Sequence, residues 1–383
     1  MTTPVDAARS LSSIIRDAAD ATERGRRVPT DLVSALARAG LFRLCVPQSL
    51  GGGEADVATL LGAIEQVARA DGSTGWVVMI GATTGLVSAF LSDDIAREIY
   101  GRDDAITGGV VAPRGKAVVV DGGYRASGRW AFVSGCQHCA WLMGGCLVMN
   151  DGKPDLLPSG VPNPRLMIFP AADAEIVDTW TVSGMCGSGS HDMAVRDLFV
   201  PNERAVSLVT DRPRHDGTLY KFPLFGLLAL GISAVATGIA RTAIDELVEL
   251  AGGKTPSGSR RTLAERTAVQ AQVADAEATL ESARALVRDT VGETWEAAKS
   301  RGEITPAQRA RLRLAATHAT RSAARATDLM YDAGGGTSIY ATSRLQRCFR
   351  DVHVATQHMM VAPASLEVVG RLLLGLETDT AML

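Results

Sequence analysis

The stretch Lys116-Ala117-Val118-Val119-Val120-Asp121-Gly122-Gly123 decides how the rest of the chain is read. A β-branched run that ends in an Asp-Gly-Gly turn signal predicts a strand followed by a tight reversal. It lies within a segment, Ala105 to Ala205, that carries seven prolines. Asn150-Asp151-Gly152 is a second turn signal, and Glu175–Val182 and Met193–Val200 read as further strands. Turn signals spaced by roughly 8–12 residues predict a compact β domain.

On either side the period changes from two to that of a helix. Upstream, Leu32, Ala35, Leu36 and Ala39 fall on one helical face, with Gly40 as a stop. Leu60, Ile64 and Val67 resume that spacing, and Ser92-Asp93-Asp94 opens another helix with acids suited to its positive end. Downstream, Val269, Val273, Ala276, Leu280, Ala283 and Val287 step alternately by four and three, a seam on one long helix. Alanine within that seam lets helices approach closely, as in a bundle.

Composition narrows the classes. The 383 residues carry a net charge of −3, so there is no basic excess to neutralise a run of phosphates, and nucleic-acid binding is not expected. Alanine and glycine together make up a quarter of the chain, while aromatics are only 5%. Met1–Ser10 has no basic and apolar signal pattern, and six cysteines are too few for a disulfide framework in a chain this long. The expectation is a cytoplasmic protein with free thiols. Two uncharged runs, Gly72–Ser92 and Phe222–Ala240, are long enough to span a bilayer. Neither has a Lys/Arg cluster to set an orientation, so both are read as buried helices, not membrane spans.

Few motifs carry chemistry unaided. Cys136-Gln-His-Cys139 lacks the second cluster that a structural zinc needs, and no metal site is expected. In a strand, alternation would also put Cys139 on the face opposite Cys136 and His138. The glycine-rich stretches Gly51–Gly53, Gly184–Ser190 and Gly334–Gly336 do not open a helix after a strand, so none is a dinucleotide fingerprint. Backbone N–H groups of such loops can still cradle a phosphate. His353 and His358, if both were on one helix, would point about 140° apart, and only one of them would face a pocket.

Three strings in order carry a resemblance: Ser127-Gly-Arg-Trp130-Ala-Phe-Val-Ser134-Gly135; Trp180 through Ser190-His-Asp192, closing with Leu198-Phe-Val-Pro201; and Asp332-Ala-Gly-Gly-Gly336 followed by Arg344 through Arg350-Asp351. In this order and spacing they resemble the acyl-CoA dehydrogenase superfamily. The resemblance implies an α+β multidomain fold: an N-terminal helical domain over 1–104, a middle β-barrel-like domain over 105–222 and a C-terminal four-helix bundle over 223–383. It also implies a flavin held by Trp130, Ser134, Gly135 and Ser190, with Arg261 and Gly334, Gly335 and Gly336 at the flavin phosphates.

The superfamily's dehydrogenases place a catalytic glutamate about eight residues after the Arg-Asp pair, or on the first bundle helix. Here His358 stands in the first region, and Tyr220 to Ile244 contains no acid. That departure resembles the two-component flavin-dependent monooxygenases. The resemblance then implies reduced flavin (FADH2 or FMNH2) delivered by a separate flavin reductase, O2 as co-substrate, and a C4a-hydroperoxyflavin that hydroxylates a small aromatic or polyketide-like molecule. His358 would be the base toward a phenol, with His353 in reserve, and Ser134 would bond to the flavin N5 side. A homo-oligomer, a tetramer built on the C-terminal bundle, is expected. The alternatives are an FAD-dependent acyl-CoA dehydrogenase-like oxidoreductase and a non-catalytic ligand-binding member. If Phe222–Ala240 is interior, purified protein will stay in solution without detergent, as sedimentation after removing any detergent will show.

Overall fold

In the computed structural model, residues 2–300, 303–381 and 383 are described. Six helices come first: α1 (Pro4–Ser10), α2 (Ser12–Gly25), α3 (Thr30–Arg38), α4 (Val57–Ala70), α5 (Gly72–Thr84) and α6 (Asp93–Tyr100). The strands follow: β1 (Thr107–Val120), β2 (Gly123–Val133), β3 (Trp141–Asn150), β4 (Lys153–Pro154), β5 (Pro164–Pro170), β6 (Glu175–Val177), β7 (His191–Pro201) and β8 (Ala205–Val206). Helices close the chain: α7 (Thr218–Lys221), α8 (Leu224–Gly253), α9 (Thr267–Lys299), α10 (Pro306–Gly334), α11 (Arg344–Ala355) and α12 (Ala364–Leu373).

Local chemistry accounts for the helix starts. The Asp56 carboxylate accepts the Thr59 amide at 2.8 Å, and Asp71 accepts the Thr74 amide at 2.8 Å, capping α4 and α5. Asp93 and Asp94 occupy the first turn of α6. Thr305 and Gln308 cap α10 reciprocally. The seam read on α9 is buried at Val269, Ala276, Leu280 and Ala283.

Both uncharged runs are interior. The windows in α5 with its following turn and in α8 are long and apolar enough to cross a membrane, yet 78% of each is buried inside the protein. Alanine along α10, including Ala316, Ala319, Ala323 and Ala326, is fully covered, which fits close packing among α8, α10 and α11.

The strands form one sheet in the order β6-β7-β2-β1-β3-β5-β8, with β4 on β3. All pairings are antiparallel except β1 with β3. The path ends at β6 and β8, and among the described residues no ladder joins those two strands. Two strand expectations change. Cys136–His138 is a 3-10 turn, so strand alternation does not apply to that CxxC. Strand β6 stops at Val177, and the rest of Glu175–Val182 becomes a loop.

The centre of the sheet's own core is Trp130, which is fully buried. A Cβ on Gly115, Gly128 or Gly144 would come within 2.4, 2.7 and 2.6 Å of its indole. The three glycines therefore make the space that the ring fills. Its Nε1 donates to the Gly145 carbonyl at 2.7 Å, which satisfies the one polar atom taken inside. Trp130→Ala should cost roughly 3–5 kcal/mol of stability, as for a large aromatic removed from a tight core, measurable by denaturant unfolding.

Candidate active site

The geometry turns on a bulge in β2. Pairing with β7 shifts register between Trp130 and Val133, and Phe132 has a φ of 66°. In a regular strand Trp130, Phe132 and Ser134 would share a face. The bulge breaks that: Trp130 points into the sheet core, while Phe132 is turned out and 71% exposed. The expectation that Trp130 packs on a flavin ring is therefore corrected, because its indole is enclosed by protein on every side. The exposed aromatic beside Ser134 is Phe132, which meets the edge of Trp180 at 6.2 Å.

Ser134 is buried and held from two directions. Trp76 on α5 donates its indole N–H to Ser134 Oγ at 2.9 Å. Ser190 Oγ lies 2.7 Å from Ser134 Oγ and 2.8 Å from Ser188 Oγ. Gly135, with φ of 68°, ties the same corner by donating its amide to the Ser188 carbonyl at 2.8 Å. Three hydroxyls thus form a row with two bonds between them. Each hydroxyl has one proton to give, so two are used inside the row and one remains at an end. With the bonds running from Ser188 toward Ser134, the spare O–H belongs to Ser134.

His358 joins this corner through Trp76, with ring centroids 5.8 Å apart. It lies beyond the end of α11, in a turn, so the helical angle between it and His353 does not apply. The Met360 amide donates to His358 Nδ1 at 3.2 Å, which leaves the ring's proton on Nε2. Burial and the nearby Arg313 guanidinium push the imidazole down to about 4. A base tuned near neutral pH was the expectation. The arrangement instead offers a neutral ring with an N–H donor at Nε2.

The remaining candidates lie elsewhere. His353 sits on α11 with Nε2 2.8 Å from the Asp328 carboxylate and its ring against Phe349, part of a helix contact and not of the serine corner. Arg261 is exposed in the loop after α8, where its amide donates to Ser259 Oγ. Lys254 donates to the Gly334 carbonyl at 2.7 Å, which brings that loop to the glycine turn. Gly335 and Gly336 are open, with nothing within 4 Å of where a Cβ would stand. Within one chain, no hydrogen bond among the described residues joins this second group to the serine row.

Trp76, Phe132 and Ser188 escaped the sequence reading. Trp76 lay in a run noted only for its lack of charge, and the bulge that exposes Phe132 has no sequence mark of its own. Ser188, two residues from Ser190 in a glycine-rich stretch, was the one with a readable signal.

An exposed aromatic face, a spare hydroxyl proton and a neutral N–H donor at one corner fit a flat, heteroatom-edged ring such as a flavin. Comparison with known proteins agrees. Residues 6–99 match the acyl-CoA dehydrogenase N-terminal domain, and residues 230–363 match the acyl-CoA dehydrogenase C-terminal domain. The indole-3-acetate monooxygenase of Pseudomonas putida is 34% identical over 92% of this chain and 89% of its own length. The oxygenase subunit HsaA of a flavin-dependent monooxygenase from Rhodococcus jostii is 31% identical over 91% of this chain and 92% of its own. The structure of XiaF from Streptomyces, in complex with FADH2 and glycerol, superposes with a TM-score of 0.90 at 26% identity, covering 98% of this chain and 95% of that one. The chain belongs to the acyl-CoA dehydrogenase superfamily, in the branch of flavin-dependent monooxygenase oxygenase components.

Proposed function

We propose that the chain takes reduced flavin, FADH2 or FMNH2, from a separate flavin reductase and uses O2 to hydroxylate a small aromatic or polyketide-like molecule. The observation that carries this reading is the serine row with its spare proton, set between the exposed Phe132 and the neutral His358. The names of the relatives support it: they are monooxygenases and an oxygenase subunit.

Reduced flavin, when bound, supplies the two electrons with which O2 is split between product and water. The protein's part is to hold and shield. Phe132 would pack on the ring, Ser134 would hydrogen-bond to its edge, and Trp76 would keep the Ser134 hydroxyl aimed. His358 would donate its Nε2 proton to the substrate oxygen. A phenol with a pKa near 10 ionises more readily when its anion gains such a donor in a dry site. Arg261 and the turn at Gly334–Gly336 would meet the flavin phosphates of a neighbouring copy in a tetramer. Exposed Met359, Leu373 and Leu374 around the last helices support burial against further copies. Six free cysteines support a cytoplasmic setting.

Anaerobic titration with reduced FAD and reduced FMN, followed by 18O2 and a panel of phenols and indoles, tests this directly. One labelled oxygen atom in the product is expected. Tight binding of oxidised FAD that an acyl-CoA bleaches would overturn the reading in favour of a dehydrogenase. His358→Ala should lower hydroxylation by about 10²-fold while reduced flavin still binds. Phe132→Ala should weaken flavin binding first.

Stability should also depend on pH. The unfolded imidazole titrates near 6.5, whereas His358 and the half-buried His138 are each pushed down to about 4. Below 6.5 the unfolded state binds protons that the folded state refuses. The two histidines' contribution is thus complete above 6.5 and is lost as pH falls toward 4. His358→Gln should flatten that acid-side loss in melting curves taken between pH 7 and 4.

A further inference from the structure

The loop that carries Ser188 and Ser190 is gripped by α11, three residues in succession. Arg350 donates to the Ser183 carbonyl. A Cβ on Gly184 would stand 2.4 Å from the Arg350 carbonyl oxygen, so the loop backbone lies directly on the helix. The Met185 amide donates to Asp351 Oδ1 at 2.6 Å. Met185 itself has a φ of 53°, a conformation that needs outside support in a residue with a side chain.

Asp351 is 4% exposed, and its second oxygen faces Gly72, where a Cβ would stand 3.2 Å from it. Gly72 is the first residue of α5, whose cap is the equally buried Asp71. Asp71 accepts from both the amide and the hydroxyl of Thr74. Two carboxyl groups are therefore placed where the two supports of Ser134 begin. Asp71 starts the helix that brings Trp76, and Asp351 holds the loop that brings Ser190. Burial and the neighbouring Asp71 push Asp351 up to about 7.

An aspartate buried at this cost is not needed to pack α11, which presents Leu345, Cys348 and Val352 to the core. Among the described residues, the one amide it accepts is on the active-site loop. We infer that Asp351 is a positioning residue: through Met185 it fixes the loop 183–190 and so the serine row beside Ser134. It acts from the C-terminal helices on a hydroxyl of the sheet without touching substrate or flavin. Its consequence for catalysis rests on the reading of Ser134 given above, but the clamp itself does not.

The test uses the full-length protein without cofactor, so it stands whether or not the flavin reading does. Hydrogen exchange is followed by mass spectrometry, and the Trp76 indole N–H by 15N-labelled tryptophan NMR, assigned with Trp76→Phe. Asp351→Ala should speed exchange in peptides over 183–190 by about tenfold or more, as expected for loss of one hydrogen bond to a buried carboxyl group. The Trp76 indole signal should shift with it. Asp351→Asn keeps an acceptor at Oδ1 and should stay close to the parent on both measures. Gly184→Ala, which leaves Asp351 intact and lifts the loop off α11, should reproduce the Asp351→Ala pattern even if that variant folds poorly. Parent-like exchange over 183–190 in Gly184→Ala, or an Asp351→Asn protein as loose as Asp351→Ala, would overturn the inference.

Discussion

Ser134 is the point on which this structure converges. Its hydroxyl is reached by an indole from a helix that precedes the sheet and by a serine from a loop pinned under a helix that follows it. No one of the three parts could make the corner alone. The sheet supplies the bulge, the first helices supply Trp76, and the last helices hold the loop. Long-range placement of this kind explains why α5 carries no charge: it lies between β1 on one side and α4 and α8 on others, and a charge on any face would have to be buried.

The helical, β, helical order was legible because periodicity reports burial directly. The seam on α9, the acidic start of α6 and the stop at Gly40 all follow from one-dimensional spacing. The β-domain turns were legible for the same reason. What escaped reading was a change of one residue in register. The resemblance put Trp130 and Ser134 together at the flavin, and the bulge at Phe132 separates them. A bulge is a property of two strands together, so β2 by itself could not announce it. His358 was found by the absence of a glutamate, yet its tautomer depends on the Met360 amide, a contact set by the turn after α11. Arg261 and the glycine turn were found as a pair but do not reach the serine row within one chain.

The glycines and alanines that make up a quarter of the chain serve two separate ends. Gly115, Gly128 and Gly144 are absences of side chain that let one large indole sit inside a thin sheet. The alanines of α10 are side chains small enough for helices to approach closely. One is a cavity made to be filled, the other a distance kept short.

The row Ser188, Ser190, Ser134 has no fixed direction. Reversing both of its bonds moves the spare proton from one end to the other without displacing a heavy atom. Ser134 then changes from a donor into an acceptor while Trp76 keeps it in place. A flavin ring nitrogen undergoes the opposite change, accepting a hydrogen bond when oxidised and offering an N–H when reduced. On the proposed flavin reading, the same three side chains would meet both oxidation states of the ring by rotating hydroxyls alone, with no change in the shape of the pocket.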